Sequence, residues 1–263
     1  DQLWKPRFDG QPAWINPPIV NIGHGPSGIA IHPGTGLGSG HDGRLFWCDF
    51  RGSIPHSNIL SVGLERDGAG FRTTGVETLL GRICATDCDF GPDGGLYVLD
   101  WVNGWGKTGK GRIYRLASDD LERDAATTET ARLLGSDLES GSIDELVTLL
   151  GHRDRRVRTR AHFGLVDKGP DGAAAMLEVA RRGSTLLARV HAIFGLGVYG
   201  RMQNPDVGPQ LEKLLLDSNE EIRAQAMRAL LDLPSETLRQ SAERLLRDPS
   251  ARVRYFAALA LGR

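Results

Sequence analysis

The sequence is poor in cysteine, in unbroken apolar runs and in net charge, and each shortage closes off a class of protein. Three cysteines, Cys48, Cys84 and Cys88, are an odd count and too few for a disulfide scaffold. Along an extended strand Cys84 and Cys88 stand roughly 13 Å apart at about 3.3 Å per residue. A disulfide spans Cα atoms within about 7 Å, so that bond needs a sharp turn. Zinc needs more Cys or His ligands at short spacing than this segment offers. Three buried, inert thiols are expected, and no metal site is assigned. No apolar run approaches the roughly 18 to 20 residues that span a bilayer. The first residue is Asp1, with no Met and no charged-then-apolar leader, so the chain reads as a piece of something longer. Lys and Arg number 32 against 33 Asp and Glu, a net charge of -1, which argues for neither nucleic acid nor an anionic membrane as partner. HExxH, Walker, GxSxG and CxxCH motifs are missing, and "GTGLGSG" does not lie between a strand and a helix, where a phosphate loop belongs.

What is present divides into two grammars. Up to residue 117, short β-rich runs alternate with Gly, Pro, Asn and Asp turns. "GIAIHP", "GRLFWCDF", "NILSVGLERDG" and "FRTTGVETLL" read as four consecutive antiparallel strands. "ATDCDFGPDG", "GLYVLDW" and "GRIYRL" begin the series again, with Phe46 matching Tyr97, Asp49 matching Asp100 and Ile59 matching Ile113. A four-stranded unit recurring at roughly 50 residues is the pattern of a β-propeller blade. About two blades cannot close a ring, so residues 1–117 are expected to be the last blades of a longer propeller. Residues 118–141 are polar and acidic, suited to a linker, although "TARLL" offers one further outer strand.

From 142 to 263 the pattern is helical and repeats more plainly. An apolar or small residue, Arg next, Ala four on and Leu eight on recur as Val157, Ala161, Leu165; Ala188, Ala192, Leu196; Ile222, Ala226, Leu230; and Val253, Ala257, Leu261. Spacings of four and eight share one helix face. An apolar helix precedes each, and the unit recurs every 31 to 34 residues, which predicts an α-solenoid of HEAT type with four helix pairs. Arg158, Arg189, Arg223 and Arg254 are expected to form an ion-pair ladder, and His162 and His191 to serve packing or interhelical hydrogen bonds.

Alternate connections of an antiparallel unit emerge on one side. That rule gathers His24, Asp49, Arg51, His56, Asp87, Asp100, Trp101, Trp105, Lys107 and Lys110 at one rim. Glycine-rich turns with His32, His41, Asp42 and Asp93 lie at the other. The first rim is the candidate site, with His24, Asp49 and Arg51 as catalytic candidates and Asp87, Asp100, Trp101, Trp105 and Lys107 as cofactor-binding candidates. Trp beside Asp, Arg and Lys suits a sugar or a polar planar cofactor. For several of them a structural role stands open alongside. Asp49 and Asp100 can accept turn N–H groups, Arg51 can pair with Asp49, and the tryptophans can pack between blades.

The stretches "WKPRFDGQPAWINPPIVNIGHGPSGIAIHPGTGL", "FWCDFRGS" and "ATDCDFGPDGGLYVLDWVNGWGKTGKGRIYRL" resemble the large membrane-bound dehydrogenases of planctomycete and verrucomicrobial bacteria. In that family a propeller similar to pyrroloquinoline quinone (PQQ)-dependent sorbosone and glucose dehydrogenases precedes HEAT repeats and often a c-type haem domain. The resemblance implies a fragment of an exported, periplasmic or cell-surface sugar dehydrogenase. It would pass a hydride from a sugar to PQQ, with calcium as a second cofactor and haem outside this segment. The isolated segment is then expected to be inactive. The family's Arg-Asn quinone contacts correspond to His24 and Gly25 here, with Asp49 and Arg51 in the following loop. The other reading is a non-enzymatic scaffold: a propeller that holds a glycan, and a solenoid that takes a protein partner.

Overall fold

The computed structural model describes residues 8–9, 18–107, 109–119, 124–233 and 237–262. Most of the stretch from Trp4 to Pro17, part of the resemblance above, lies outside them. Four strands, β1 (Pro26–Ile31), β2 (Leu45–Asp49), β3 (Asn58–Asp67) and β4 (Gly70–Gly81), form one antiparallel sheet in sequential order. β5 (Ala85–Phe90), β6 (Leu96–Asp100) and β7 (Arg112–Leu116) form a second, three-stranded one. The predicted strands are all present. "DG" at 67–68 closes the β3–β4 hairpin, and Asp93 closes the β5–β6 turn by accepting the Gly95 N–H.

The two sheets stack face to face and do not close into a ring. Phe46, Cys48 and Ile59 from the first bury against Cys88, Phe90, Leu96 and Val98 of the second. All three cysteines are free and buried. The Cys48 thiol is pushed up by its hydrogen bond with Cys88 and by burial, which keeps it protonated and unreactive. Among the described residues the outer faces of the stack are apolar but uncovered. Cys48 and Ile59 are 0% exposed, whereas their matches in the second sheet, Leu99 and Ile113, are 43% and 69% exposed. On the opposite side Ile29 and Ile31 hold the places of buried Cys88 and Phe90 and are themselves exposed.

The stretch expected as a linker holds a helix, α1 (Ala125–Leu134), which packs on the solenoid. "TARLL" lies within it rather than in an outer strand. Asp124 accepts the Thr127 N–H and so caps a run of Ala and Thr with enough helical continuation to win over a five-residue β signal. Four helix pairs follow: α2 (Ile143–Leu149) with α3 (Arg155–Asp167), α4 (Gly169–Arg182) with α5 (Leu186–Met202), α6 (Gly208–Lys213) with α7 (Glu220–Leu230), and α8 (Leu238–Leu245) with α9 (Ala251–Leu261). Ser142 and Glu145 form a capping box on α2, and Asp154, Thr185 and Asn219 cap α3, α5 and α7. The repeated apolar and Ala positions form the common core, and α3, α5, α7 and α9 stack in a row.

The arginine ladder forms only in part. Arg189 pairs with Asp217, and Arg223 binds both oxygens of Asp248 at 2.8 and 2.9 Å. Gly183 occupies the position equivalent to those acids one repeat earlier, so Arg158 has no carboxylate there. Its Nη1 donates instead to the His152 and Arg153 carbonyls, and burial lowers its pKa. Arg254 likewise donates to the Asp248 and Pro249 carbonyls. His162 and His191 meet between α3 and α5 with Nδ1 atoms 3.3 Å apart, an interhelical hydrogen bond as expected.

The helices and the sheets are joined by a polar seam. Asp154, buried at the start of α3, accepts the Thr35 hydroxyl at 2.7 Å and pairs with Arg156, whose Nη1 donates to the Phe90 and Gly91 carbonyls. The Arg155 N–H donates to the Pro33 carbonyl. Farther along, the β3–β4 hairpin reaches α7 and α9 through Arg66–Glu221 and through Arg252, which contacts the Ala69 carbonyl and the Phe71 ring. All of these contacts use the rim that carries the glycine-rich turns. The solenoid therefore occupies the end opposite the candidate site and leaves that site open.

Candidate functional site

Strand direction does bring the candidate loops to one rim, but their side chains divide among separate places. The first is a clamp around Asp49 at the end of β2. Its Oδ1 accepts the His24 and Gly25 N–H groups, both at 2.8 Å, and its Oδ2 accepts Arg51 Nε at 2.8 Å. Burial pushes the carboxyl up, but the two backbone donors and the Arg51 guanidinium outweigh it and hold the pKa below the ordinary carboxylate range. Asp49 is thus an ionised structural tie with both oxygens engaged. Replacing it by alanine strands two backbone donors and a guanidinium. The expected cost is about 3 kcal/mol in urea unfolding followed by tryptophan fluorescence, against less than about 1 kcal/mol for Arg51→Ala.

The same place leaves no room for a quinone cradle. A Cβ on Gly25 would stand 1.7 Å from the Phe50 carbonyl oxygen, and the Gly25 carbonyl accepts the Phe50 N–H. No asparagine side chain fits that position, and the backbone donors of 24 and 25 are already spent on Asp49. Residues 24 and 25 therefore do not form a cradle for PQQ. No group of three or more His, Cys, Asp or Glu side chains able to hold a metal ion occurs among the described residues.

Trp105, 76% exposed, touches the β2–β3 connection of the first sheet. Its ring meets Phe50 edge-on at 4.9 Å and lies over Gly52, where an added Cβ would stand 1.9 Å from the indole nitrogen. With φ +68° as well, Gly52 is required both by the turn and by the indole. Asp87, in β5 and opposite Leu99, faces a hollow of about 440 Å³ with Pro26, Ser27, Ile29 and Trp47, away from the other candidates. His56 ends a short 3-10 turn on the same rim and is exposed.

Asp100 borders two hollows, and Trp101 lines one of them. Asp100, buried at the end of β6, lines both a hollow of about 560 Å³ with Arg82, Arg112 and Tyr114 and one of about 600 Å³ with Trp101, Lys107, Lys110 and Arg112. Its Oδ1 accepts the Val102 N–H at 2.9 Å and holds that β-branched residue at φ +77°, a backbone region such residues rarely enter. Arg82, on the same hollow, is also left-handed at φ +62°. The Trp101 backbone N–H donates to the Cys84 carbonyl, and its indole Nε1 donates to the Gly106 carbonyl at 3.2 Å, so the ring is fixed while remaining 39% exposed. Arg82, Arg112 and Tyr114 were not among the sequence candidates. "GRIYRL" placed Arg112 and Tyr114 on a strand, and nothing in the sequence marks which side of that edge strand opens to a cavity.

With this geometry in hand, comparison with known proteins adds one result: the HEAT-repeat family matches residues 173–262. That range runs from α4 to the end of α9, and the α2–α3 pair carries the same repeat one unit earlier. No curated protein matches the chain. The class defined by fold and comparison is a sheet-rich N-terminal region joined to a HEAT-repeat helical region.

Proposed function

We propose that the chain is a saccharide-binding module: the sheets are part of a β-propeller, and the solenoid is a scaffold for a protein partner. The observation that carries this reading is the fixed, exposed Trp101 ring beside Asp100 and Arg112, on the rim opposite the solenoid. An indole face offers a platform for the C–H face of a sugar ring, and Asp and Arg supply directional hydrogen bonds to hydroxyls. The exposed face at Ile29 and Ile31 supports continuation of the array by further sheets on that side. On the solenoid, one repeat position of α3, α5, α7 and α9 carries Phe163, Phe194, Arg228 and Leu259. Phe163 and Leu259 are exposed, and Arg228 lies over the Phe194 ring, a row suited to an extended apolar peptide. Among the described residues no helix is long and apolar enough to cross a membrane.

Titration of the chain with an oligosaccharide panel, followed by tryptophan fluorescence, tests the reading. Trp101→Ala is expected to lower affinity roughly five- to tenfold, since loss of an aromatic platform costs about 1 to 1.4 kcal/mol. Unchanged binding in that variant would remove the site. The family resemblance supports a second reading, a fragment of an exported quinone- and calcium-dependent sugar dehydrogenase in the periplasm or at the cell surface, with its haem elsewhere. Oxidation of aldoses by the longer protein with PQQ, calcium and an artificial acceptor would favour it. Sugar binding without turnover would favour the module.

A further inference from the structure

We infer that the Trp101 hollow takes an acidic saccharide, one carrying a carboxylate or a sulfate ester, in preference to a neutral sugar. This rests on the saccharide reading above and adds the charge of the ligand. Lys107, Lys110 and Arg112 all line the same hollow of about 600 Å³ as Trp101, and Asp100 is its one acidic lining residue. The Asp100 carboxylate is buried and accepts the Val102 N–H through one oxygen, so it subtracts one charge from three and leaves the lining net positive. This local excess departs from the chain as a whole, where 32 basic residues face 33 acidic ones and many arginines are ion-paired, as in Arg115–Asp93, Arg156–Asp154 and Arg223–Asp248. Neither Lys107, Lys110 nor Arg112 has a carboxylate within ion-pair distance among the described residues, and the one hydrogen bond Arg112 makes there is to the Tyr114 hydroxyl at 3.1 Å.

Platform and charge are placed so that one ligand can use both. The loop between Trp101 and Arg112 carries Gly104, Gly106, Gly109 and Gly111, and the Trp101 side chain stays 39% exposed beside it. A pyranose on Trp101 presents its ring substituents to the two lysines and to the planar guanidinium, whose fork matches a carboxylate or sulfate. Exposed cations facing an exposed anion are screened by salt, so the preference must weaken as ionic strength rises. A single strand of nucleic acid could also combine stacking with phosphate contacts. The chain's charge balance and the three-residue extent of the basic cluster favour the smaller ligand.

The test uses the whole chain and four probes: trigalacturonate, a sulfated galactan oligosaccharide, cellotriose, and a short oligothymidylate. At about 20 mM salt, where the Debye length is roughly 20 Å, at least one acidic saccharide is expected to bind tenfold or more tightly than cellotriose. In 0.5 M salt, or in the double variant Lys107→Ala/Lys110→Ala, that ratio should fall below about threefold. The galacturonate and sulfate arms distinguish carboxylate from sulfate ester. Cellotriose binding as well as the acidic sugars, with loss in Trp101→Ala, would overturn this inference and leave the saccharide reading standing. A preference that persists in the double variant, or equal binding of oligothymidylate, would also overturn it. If no saccharide binds at all, both fall.

Discussion

Replacing Asp154 by alanine is expected to make the two halves of the molecule unfold separately in urea. Trp47, Trp101 and Trp105 lie in the sheets or their loops and no tryptophan follows residue 105, so fluorescence reports on the sheets while the 222 nm circular dichroism follows the helices. In the parent chain the two signals should share a midpoint, because the seam ties each half to the other. Asp154 is wholly buried, and burial pushes its carboxyl up, but Arg156 and the Thr35 hydroxyl reverse this and keep it ionised. Its loss removes the α3 cap, the Thr35 bond and the partner of a guanidinium that also holds the Phe90 and Gly91 carbonyls. Breaking a buried pair on one side costs on the order of 4 kcal/mol, much of the stability of an ordinary domain. The fluorescence midpoint should then fall well below that of the helices. Thr35→Val separates the seam from the cap: it removes one bond across the halves, costs about 1 kcal/mol, and leaves α3 capped. If both variants kept coincident transitions, the seam would not be what couples the halves.

The seam also marks where sequence reading stops. Thr35 and Asp154 are 119 residues apart, and no periodicity in either half points at the other. Within each half much was legible, since local chemistry determines it. Four repeats of small and apolar residues at spacings of four and eight fix the faces of α3, α5, α7 and α9, and Asp154, Thr185 and Asn219 cap at the same repeat position. The break in the arginine ladder was also written there, as Gly183 against Asp217 and Asp248, but only in a register that the helix pairs make visible. For the site, strand reversal correctly predicts the shared rim. It cannot say how the groups divide there, because that depends on which oxygens the backbone claims first. Asp49 and Asp100 match in sequence, yet the His24–Gly25 segment takes both N–H groups to one Asp49 oxygen. Asp100, bonded through one oxygen to Val102, borders open space. Leu99 and Ile113 line that space, and whether a strand face is covered depends on its neighbours rather than on the strand itself.

Mild acid should destabilise the helical half through His162 and His191. Both rings are buried, packed with Phe163 and Phe194, and share one hydrogen bond between their Nδ1 atoms, which requires one ring to donate and the other to stay bare. Burial lowers the His162 pKa to about 4. Burial, with the Arg158 charge and His162 behind it, lowers that of His191 to about 3. In the unfolded chain both titrate near the ordinary 6.5. The unfolded state therefore binds protons that the folded state refuses, and stability, fully present above about pH 6.5, declines as pH falls toward the folded values. Each histidine contributes up to about 1.4 kcal/mol per pH unit, so the pair removes on the order of 4 kcal/mol by pH 5. In that interval the ion-paired carboxylates Asp154 and Asp248, held below the ordinary range, remain charged and add no loss of their own. Urea titrations of the helical signal at pH 7.5, 6 and 5 should give that slope in the parent chain and a much flatter one in His162→Leu/His191→Leu. Some slope should persist, because burial also lowers His152. An equal slope in parent and double variant would place the acid sensitivity elsewhere and make the histidine pair ordinary packing.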